Sequence, residues 1–163
     1  MDSNNLYKKT EQFVTGLFNT HKNPDLVFHN LEHTRDVVER TKEIAGHYYL
    51  NENDMLAVYI AAWFHDTGYL FTDAAHHEEK SVELMQDFMK ANAPDEKLAA
   101  TIESCILATR PPGRHDNLLE EIIHDADTYH LGTKAFKEAD KKVWEEYNLT
   151  GTIIGEKEWT SKQ

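Results

Sequence analysis

The chain has 163 residues, and 29 acidic against 17 basic side chains give it a formal net charge of −12. An acidic surface repels phosphate backbones, which argues against nucleic acid as a partner. No apolar run approaches the ~20 residues that span a bilayer, and the N-terminus lacks a signal-like segment, so we expect a cytoplasmic protein with no membrane partner. Cys105 is the one cysteine, which excludes an intrachain disulfide and fits a reducing compartment.

Apolar residues at helical spacing, separated by breakers, predict helices joined by short loops. In chain order the predicted helices are 4–19, 31–49, a third capped by Asn53, 76–91, a fifth opened by Pro94, 117–130 and 134–147. The third is apolar nearly all round, so we expect it at the centre. Strand signals are nearly absent, and residues 152–154 form either a short strand or part of an irregular tail. We therefore predict one all-α domain over 1–163, a bundle of about six to eight helices.

Histidine and aspartate cluster in four short stretches, which are residues 28–33, 63–69, 76–81 and 124–127. The pair His65-Asp66 ends the most apolar helix, where a buried carboxylate without a partner is costly unless it binds a cation. Gly68 would then let the backbone turn sharply away. The alternative is a His-Asp pair that is only hydrogen-bonded.

The other stretches strengthen the case for a metal. His29 and His33 are four residues apart, and share one helical face if the helix begins early enough. Asp127 follows the apolar residues Ile122 and Ile123, and at an inward position it needs a partner. That partner is either a metal or a neighbouring helix terminus, which Asp125 could equally bind. Imidazole and carboxylate donors suit manganese, iron, cobalt, nickel or zinc.

The order of these residues resembles the H…HD…D pattern of the HD-domain metal-dependent phosphohydrolases. Four segments carry the resemblance, which spans about residues 28–132: Phe28-His29-Asn30-x-x-His33-Thr34, Ala62-Trp63-Phe64-His65-Asp66-Thr67-Gly68-Tyr69, His77-Glu78-x-x-Ser81, and Asp125-Ala126-Asp127 followed by Leu131-Gly132. The greatest similarity is to small stand-alone members, many of which have no assigned substrate.

The resemblance implies that four residues bind a divalent metal ion: His33, His65, Asp66 and Asp127. It implies hydrolysis of a phosphoester of a small molecule, for example a nucleotide, by a metal-activated water. Asp66 would help to orient that water. His77 would either protonate the leaving oxygen or bind a second metal, and His29 would support a ligand or line the substrate pocket.

Two positions depart from the family pattern. Tyr69 stands where many members have a lysine, so a phosphate contact is missing. Thr109 stands where two-metal members present a histidine, which favours one ion over two, although His115 would permit two if its loop folds back. The ion is then one of the transition metals above, with magnesium as a further candidate.

The expected partner is a small phosphorylated substrate. Arg110 and Arg114 flank a double proline and are candidates for binding its phosphate, since guanidinium matches phosphate geometry; the alternative is a solvated loop. Lys80 is a weaker candidate, because a single lysine is usually only a surface residue. The sequence leaves monomer and homo-oligomer open. In similar proteins another helix often follows a segment that resembles residues 156–160. We expect residues 133–163 to form a helix and a tail, which either ends early or packs differently.

Two other functions compete with hydrolysis. A metal- or nucleotide-binding module could keep the pocket without turnover, and the changes at Tyr69 and Thr109 favour it. A two-iron oxygenase would need more ligands than the sequence supplies with clear spacing.

Overall fold

Helices account for all the regular structure in the described part of the chain. The computed structural model describes residues 2–111 and 115–151, and no strand occurs in these residues. The helices are α1 Ser3–Thr20, α2 Leu31–Ala45, α3 Glu52–Phe64, α4 His77–Asn92, α5 Glu96–Leu107, α6 Leu118–Asp127 and α7 Phe136–Leu149, with short 3-10 helices at Thr67–Leu70 and Tyr129–Gly132. The predicted all-α fold class is therefore confirmed.

Helix α3 lies at the centre, as its sequence predicts. Every residue from 56 to 64 is buried, and α1, α2, α4, α5 and α6 all pack against the helix. The ring of Phe64 contacts those of Phe13 and Phe88, with centroids 5.8 and 5.4 Å away. A helix that is apolar on every side needs neighbours on every side, and each outer helix supplies one apolar stripe. The C-terminal end of α3 is therefore held in fixed surroundings.

Five helices begin at an Asn or Asp whose side chain accepts a backbone N–H from the first turn. These caps are Asp2 for α1, Asn30 for α2, Asn51 for α3, Asp95 for α5 and Asn117 for α6. The prediction that Asn53 caps α3 is wrong, because the side-chain Oδ1 of Asn51 accepts the Asp54 N–H at 2.8 Å and Asn53 lies inside the helix. Likewise α5 begins at Glu96 and not at Pro94.

Other predicted boundaries are also corrected. Helix α2 ends at Ala45 rather than at residue 49. Helix α6 ends at Asp127, where the N–H and the hydroxyl of Thr128 both bond to the His124 carbonyl, and a separate 3-10 helix follows. The alternatives for residues 152–154 lie outside the described residues. No helix among the described residues has the length and apolar character to cross a membrane.

Helix α7 contributes little to the apolar core. Its two buried residues are Ala139 and Glu146, and it contacts the 3-10 helix Tyr129–Gly132. A carboxylate is an unusual anchor for a helix, because burying it is costly unless it is paired or hydrogen-bonded. The partners of Glu146 therefore matter for how α7 is held, and they lie beside the cluster described next.

Candidate metal centre

His33 is placed by the capped start of α2. The side chain of Asn30 accepts the His33 N–H at 3.1 Å and donates to the Leu26 and Val27 carbonyls. Asn30 thus fixes both the loop before α2 and the first turn that carries His33. Because α2 begins at Leu31, His29 lies before the helix, so the condition for His29 and His33 to share a helical face is not met.

His65 and Asp66 follow directly on the buried end of α3. His65 is fully buried, and its Nδ1 lies 2.7 Å from the Ala62 carbonyl oxygen. A carbonyl only accepts, so Nδ1 carries the proton and a neutral imidazole keeps the lone pair on Nε2. That nitrogen faces the carboxylates of Asp66 and Asp127, at 3.0 and 3.2 Å.

Asp127, the last residue of α6, completes a group of four. Ligand atoms of His33, His65, Asp66 and Asp127 all lie within 4.8 Å of one another. His33 Nε2 is 3.3 Å from an oxygen of each aspartate. Asp125 points elsewhere, with 68% of its side chain exposed against 22% for Asp127. Within residues 2–111 and 115–151, no second group of three or more such side chains converges in this way.

The atoms that converge suit a metal ion. His33 Nε2, His65 Nε2 and Asp66 Oδ2 are buried, and none of them makes a hydrogen bond. Leaving buried polar atoms unpaired costs about 1–3 kcal/mol each. Two imidazole nitrogens and two carboxylates form a donor set that binds divalent transition metals, and an ion among them would satisfy all three atoms at once.

Charge coupling within the cluster shifts its pKa values. Burial lowers the pKa of His33, but the adjacent carboxylates of Asp127 and Asp66 outweigh it and raise the pKa to about 9. The pKa of His65 is raised in the same way, against its burial, by the charges of Asp66 and Asp127. Conversely, burial raises the pKa of Asp66, but the histidines hold it well below the usual value. Without a metal, protons therefore occupy the place that an ion would take.

His77 lies against the outer oxygen of Asp66. Its Nε2 is 3.4 Å from Asp66 Oδ1, and its Nδ1 is 2.8 Å from the Ala74 carbonyl oxygen. The side chain of Glu78 also approaches Nδ1, at 3.3 Å. Burial lowers the pKa of His77, but Asp66 reverses the effect and raises it. Both ring nitrogens thus face acceptors.

Ser81 ties helix α4 to the turn that carries His65 and Asp66. Its Oγ donates to the His65 carbonyl at 2.9 Å and accepts the Gly68 N–H at 2.9 Å. The backbone at Gly68 does not have a positive φ, so the change from α3 to the 3-10 helix here does not use a conformation that only glycine favours. What requires glycine is space, because a Cβ there would lie 2.0 Å from the His77 carbonyl oxygen.

Tyr69 and His29 pack beside His77. The Tyr69 ring stacks on His77 with centroids 3.9 Å apart and on His29 with centroids 4.2 Å apart. Glu146 holds His29: its Oε1 accepts the N–H groups of Phe28 and His29 at 3.1 and 2.9 Å, and its Oε2 is paired with His29 Nδ1. Glu146 is not among the residues predicted for the site, although its spacing from Ala139 and Val143 places a carboxylate on the apolar face of α7.

The site lies within a region that matches a known family. Residues 30–132 match the HD domain, which is more than half of the chain. The chain belongs to the HD domain family. Members of this family are generally metal-dependent hydrolases, and the four converging residues of this HD domain could hold a divalent ion. No curated protein and no solved structure matches the chain.

Two clefts reach this centre of the HD domain. A cleft of about 340 Å³ is lined by Phe28, His29, Thr109, Pro111, His124, Asp127, Thr128, His130 and Val143. A larger cleft of about 550 Å³ has His33 and Asp127 in its wall, together with the basic side chains of Arg40, Lys134 and Lys142. Arg40, which the sequence analysis also missed, lies over the Tyr129 ring at 4.3 Å.

The remaining predicted residues lie around this centre without joining it. Arg110 is paired with Glu79, and its Nε lies 4.0 Å from Glu78. Lys80 is paired with Glu83 at 3.3 Å and lines neither cleft. Arg114 lies outside the described residues. Their roles in substrate binding remain predictions.

The two positions that bear on a second metal are also placed. Thr109 donates its hydroxyl hydrogen to the Ile106 carbonyl at 2.7 Å, and it lines the smaller cleft. The ring of His115 packs on that of His124, with centroids 4.2 Å apart, and its buried Nδ1 makes no hydrogen bond. His115 therefore comes next to a residue of the smaller cleft but not into the group of four.

Proposed function

We propose that this HD-domain protein hydrolyses a phosphoester of a small phosphorylated molecule, such as a nucleotide, with one divalent metal ion. His33, His65, Asp66 and Asp127 would hold the ion, which is manganese, iron, cobalt, nickel or zinc, with magnesium a further candidate. The observation that carries the proposal is the convergence of buried, unpartnered ligand atoms from α2 and the end of α3 with the Asp127 carboxylate from α6, where two clefts meet.

When bound, the metal would lower the pKa of a water and polarise a phosphoryl oxygen. Asp66 is suited to two tasks, because Oδ2 faces His33 and His65 while Oδ1 faces His77. Its outer oxygen can therefore orient a water while the inner one stays with the cluster. The walls of α3 and α4 exclude bulk solvent, since His65, Asp66 and Ser81 are all buried.

His77 is the candidate proton donor. With Nδ1 directed to the Ala74 carbonyl and Nε2 to Asp66 Oδ1, the ring is surrounded by acceptors, which favours its protonated form. A protonated imidazole can give its Nε2 proton to the leaving oxygen of an ester. Because a cluster of this kind occurs once in the described residues, we propose His77 as an acid rather than as a ligand for a second ion.

The clefts indicate where a substrate would lie. Phe28, Pro111 and Val143 give the smaller cleft an apolar wall next to Asp127, suited to the organic part of a phosphoester. We propose that His29 supports this wall. Arg110 could reach an anion only by leaving its carboxylate partners, so its phosphate contact, like those of Arg114 and Lys80, needs a direct test.

Metal content and phosphatase activity, measured together, test the function. Purified wild-type protein should contain about one equivalent of a divalent ion by mass spectrometry and hydrolyse p-nitrophenyl phosphate when that ion is present. His65→Ala should lose both, and Asp66→Ala should lose activity. Wild-type protein that binds an ion but hydrolyses no ester in a panel that includes nucleotides would refute hydrolysis.

That last outcome would favour the second candidate, a metal-binding module without turnover. The specific observation behind it is that Tyr69, at the position of a common lysine, is taken up in ring stacking, while Arg110 is already paired.

A further inference from the structure

We propose that Tyr69 is a positioning residue for His77, and that Glu146 anchors it from α7 through His29. We call His29, Tyr69 and His77 the ring stack. This inference rests on the proposed phosphoester hydrolysis with His77 as the acid. It adds a role for the tyrosine at a position where the family pattern has a lysine, and for a helix beyond the matched region.

Without a neighbour stacked on it, the His77 ring would be free to tilt. A hydrogen bond to the Ala74 carbonyl, at 2.8 Å, and a longer contact of 3.3 Å to the Glu78 carboxylate hold Nδ1. Nε2 is farther from its acceptor, 3.4 Å from Asp66 Oδ1. A ring held firmly at one nitrogen can still tilt about that contact, and Nε2 would then swing away from Asp66. Proton transfer tolerates little misplacement of this kind.

Stacking of the Tyr69 ring on His77 restricts this tilting. The Tyr69 ring lies nearly parallel to His77, at 24° with centroids 3.9 Å apart, and at 18° to His29. A stacked ring at van der Waals distance blocks tilting toward it. The backbone of His77 packs against Gly68, where not even a Cβ fits. The point from which the side chain of His77 extends is therefore fixed by Gly68, and its ring is confined on one face by Tyr69.

The ring stack is anchored at His29, which Glu146 holds in place. His29 precedes α2 and has no helix to hold it. Glu146 supplies the hold, because its buried carboxylate accepts both neighbouring N–H groups and pairs with Nδ1. Because only 5% of its side chain is exposed, this carboxylate has little access to water as an alternative hydrogen-bond partner. The contact chain thus runs from α7 to the acid.

The chemistry that depends on this chain is the departure of the leaving group. The oxygen of a water forms a bond to phosphorus while the bond from phosphorus to the ester oxygen breaks. His77 Nε2 gives its proton to that ester oxygen, and the proton lost by the water returns to His77 through solvent. An ester with a good leaving group needs little of this help, whereas a poor leaving group needs much.

The test compares two esters of similar shape, phenyl phosphate and p-nitrophenyl phosphate, which has the better leaving group. We expect Tyr69→Leu to lower kcat for phenyl phosphate at least ~10-fold more than for p-nitrophenyl phosphate with KM little changed, a part of the 10²–10⁴-fold that an acid contributes. Tyr69→Phe keeps the ring and should stay near wild type. Glu146→Gln should also lower kcat more for phenyl phosphate than for p-nitrophenyl phosphate, but by a smaller factor than Tyr69→Leu. Tyr49→Leu, at a fully exposed tyrosine, is the matched control.

A second readout needs no turnover. In metal-free protein, the ring protons of His77 should carry an upfield NMR shift from Tyr69, retained in Tyr69→Phe and lost in Tyr69→Leu. If Tyr69→Leu does not fold, Tyr69→Met, which is also without a ring, replaces it in both measurements.

The outcomes separate this inference from the proposed function. If wild type hydrolyses neither ester, or His77→Gln shows no leaving-group selectivity, the proposed function or its acid fails, and the NMR shift alone reports the stack. If His77→Gln is selective but Tyr69→Leu and Glu146→Gln slow both esters equally, or the His77 shift survives loss of the ring, the positioning role of Tyr69 is overturned.

Discussion

Gly68 lies so close to the backbone of His77 that a Cβ atom on the glycine would stand 2.0 Å from the His77 carbonyl oxygen. The same glycine donates its N–H to Ser81, so the turn after His65-Asp66 and the start of α4 are joined at two points. The proposed ligands and the proposed acid are thereby held at a fixed separation.

Gly68→Ala should consequently destabilise the protein. The added methyl group meets backbone, which cannot rotate away, so we expect a loss of about 1–3 kcal/mol, typical of overpacked sites. Gly16→Ala is the control, because nothing lies within 4 Å of a Cβ there and alanine in a helix interior should add about 0.5–1 kcal/mol. Urea unfolding measures the free energy of unfolding of both variants. A change of the same sign in the two would contradict the close packing at Gly68.

Asp127 and Asp125 should differ sharply in their effect on metal binding. Asp127→Ala removes a converging carboxylate, so we expect the affinity to fall by more than the ~10–100-fold typical of outer-shell partners. Asp125→Ala, two residues earlier and exposed, should leave the affinity unchanged. Calorimetric titration with zinc or manganese compares the two. A larger loss in Asp125→Ala would mean that the wrong aspartate is assigned.

Metal binding should release protons at neutral pH. The pKa of His33 in the metal-free protein is raised to about 9, so below that pH the ring is protonated, and an ion must displace the proton to reach Nε2. The apparent affinity should therefore weaken as pH falls from 9, by about tenfold per unit for each proton released. Titrations in buffers of different ionisation enthalpy count these protons. A pH-independent affinity would show that His33 is not a ligand.

Glu146→Ala should destabilise the protein although it lies on a lightly packed helix. The substitution leaves the N–H groups of the half-buried Phe28 and His29 without their acceptor. A fully buried unpaired group costs roughly 1–3 kcal/mol, which is an upper bound for each of these two. Glu138→Ala, on the same helix but exposed, should change stability by less than about 0.5 kcal/mol. Thermal unfolding of the metal-free proteins distinguishes the two, and matching melting temperatures would argue against an anchoring role.

Cys105 should be unreactive in the folded protein. The side chain is fully buried, and burial raises the pKa of its thiol to about 12, so the thiolate that reacts is rare at neutral pH. A thiol reagent should label native protein at least ~100-fold more slowly than protein in urea, given a tenfold loss of thiolate per pKa unit. Comparable labelling rates in the two conditions would place Cys105 at the surface.

Local sequence was enough to predict the helices and the order of the proposed ligands. Apolar periodicity predicted α3 at the centre, because a helix that is apolar on every side has no face to expose to water. The prediction failed at boundaries such as Asn51 against Asn53, since both can cap a helix and only the backbone conformation selects one. The proposed ligands, from His33 to Asp127, could be predicted because their order along the chain matches the H…HD…D pattern of the family.

Only the tertiary structure decided which residues far apart in the chain contact one another. Glu146 meets His29 across more than a hundred positions, Tyr69 stacks on His77, and Arg110 is drawn to Glu79. None of these has a local signature, because a side chain's partner depends on how whole helices pack. The sequence determined which groups could bind a metal, through the chemistry of imidazole and carboxylate. Their convergence was decided by α3, whose burial on all sides fixes where the other helices, and the side chains that they carry, must lie.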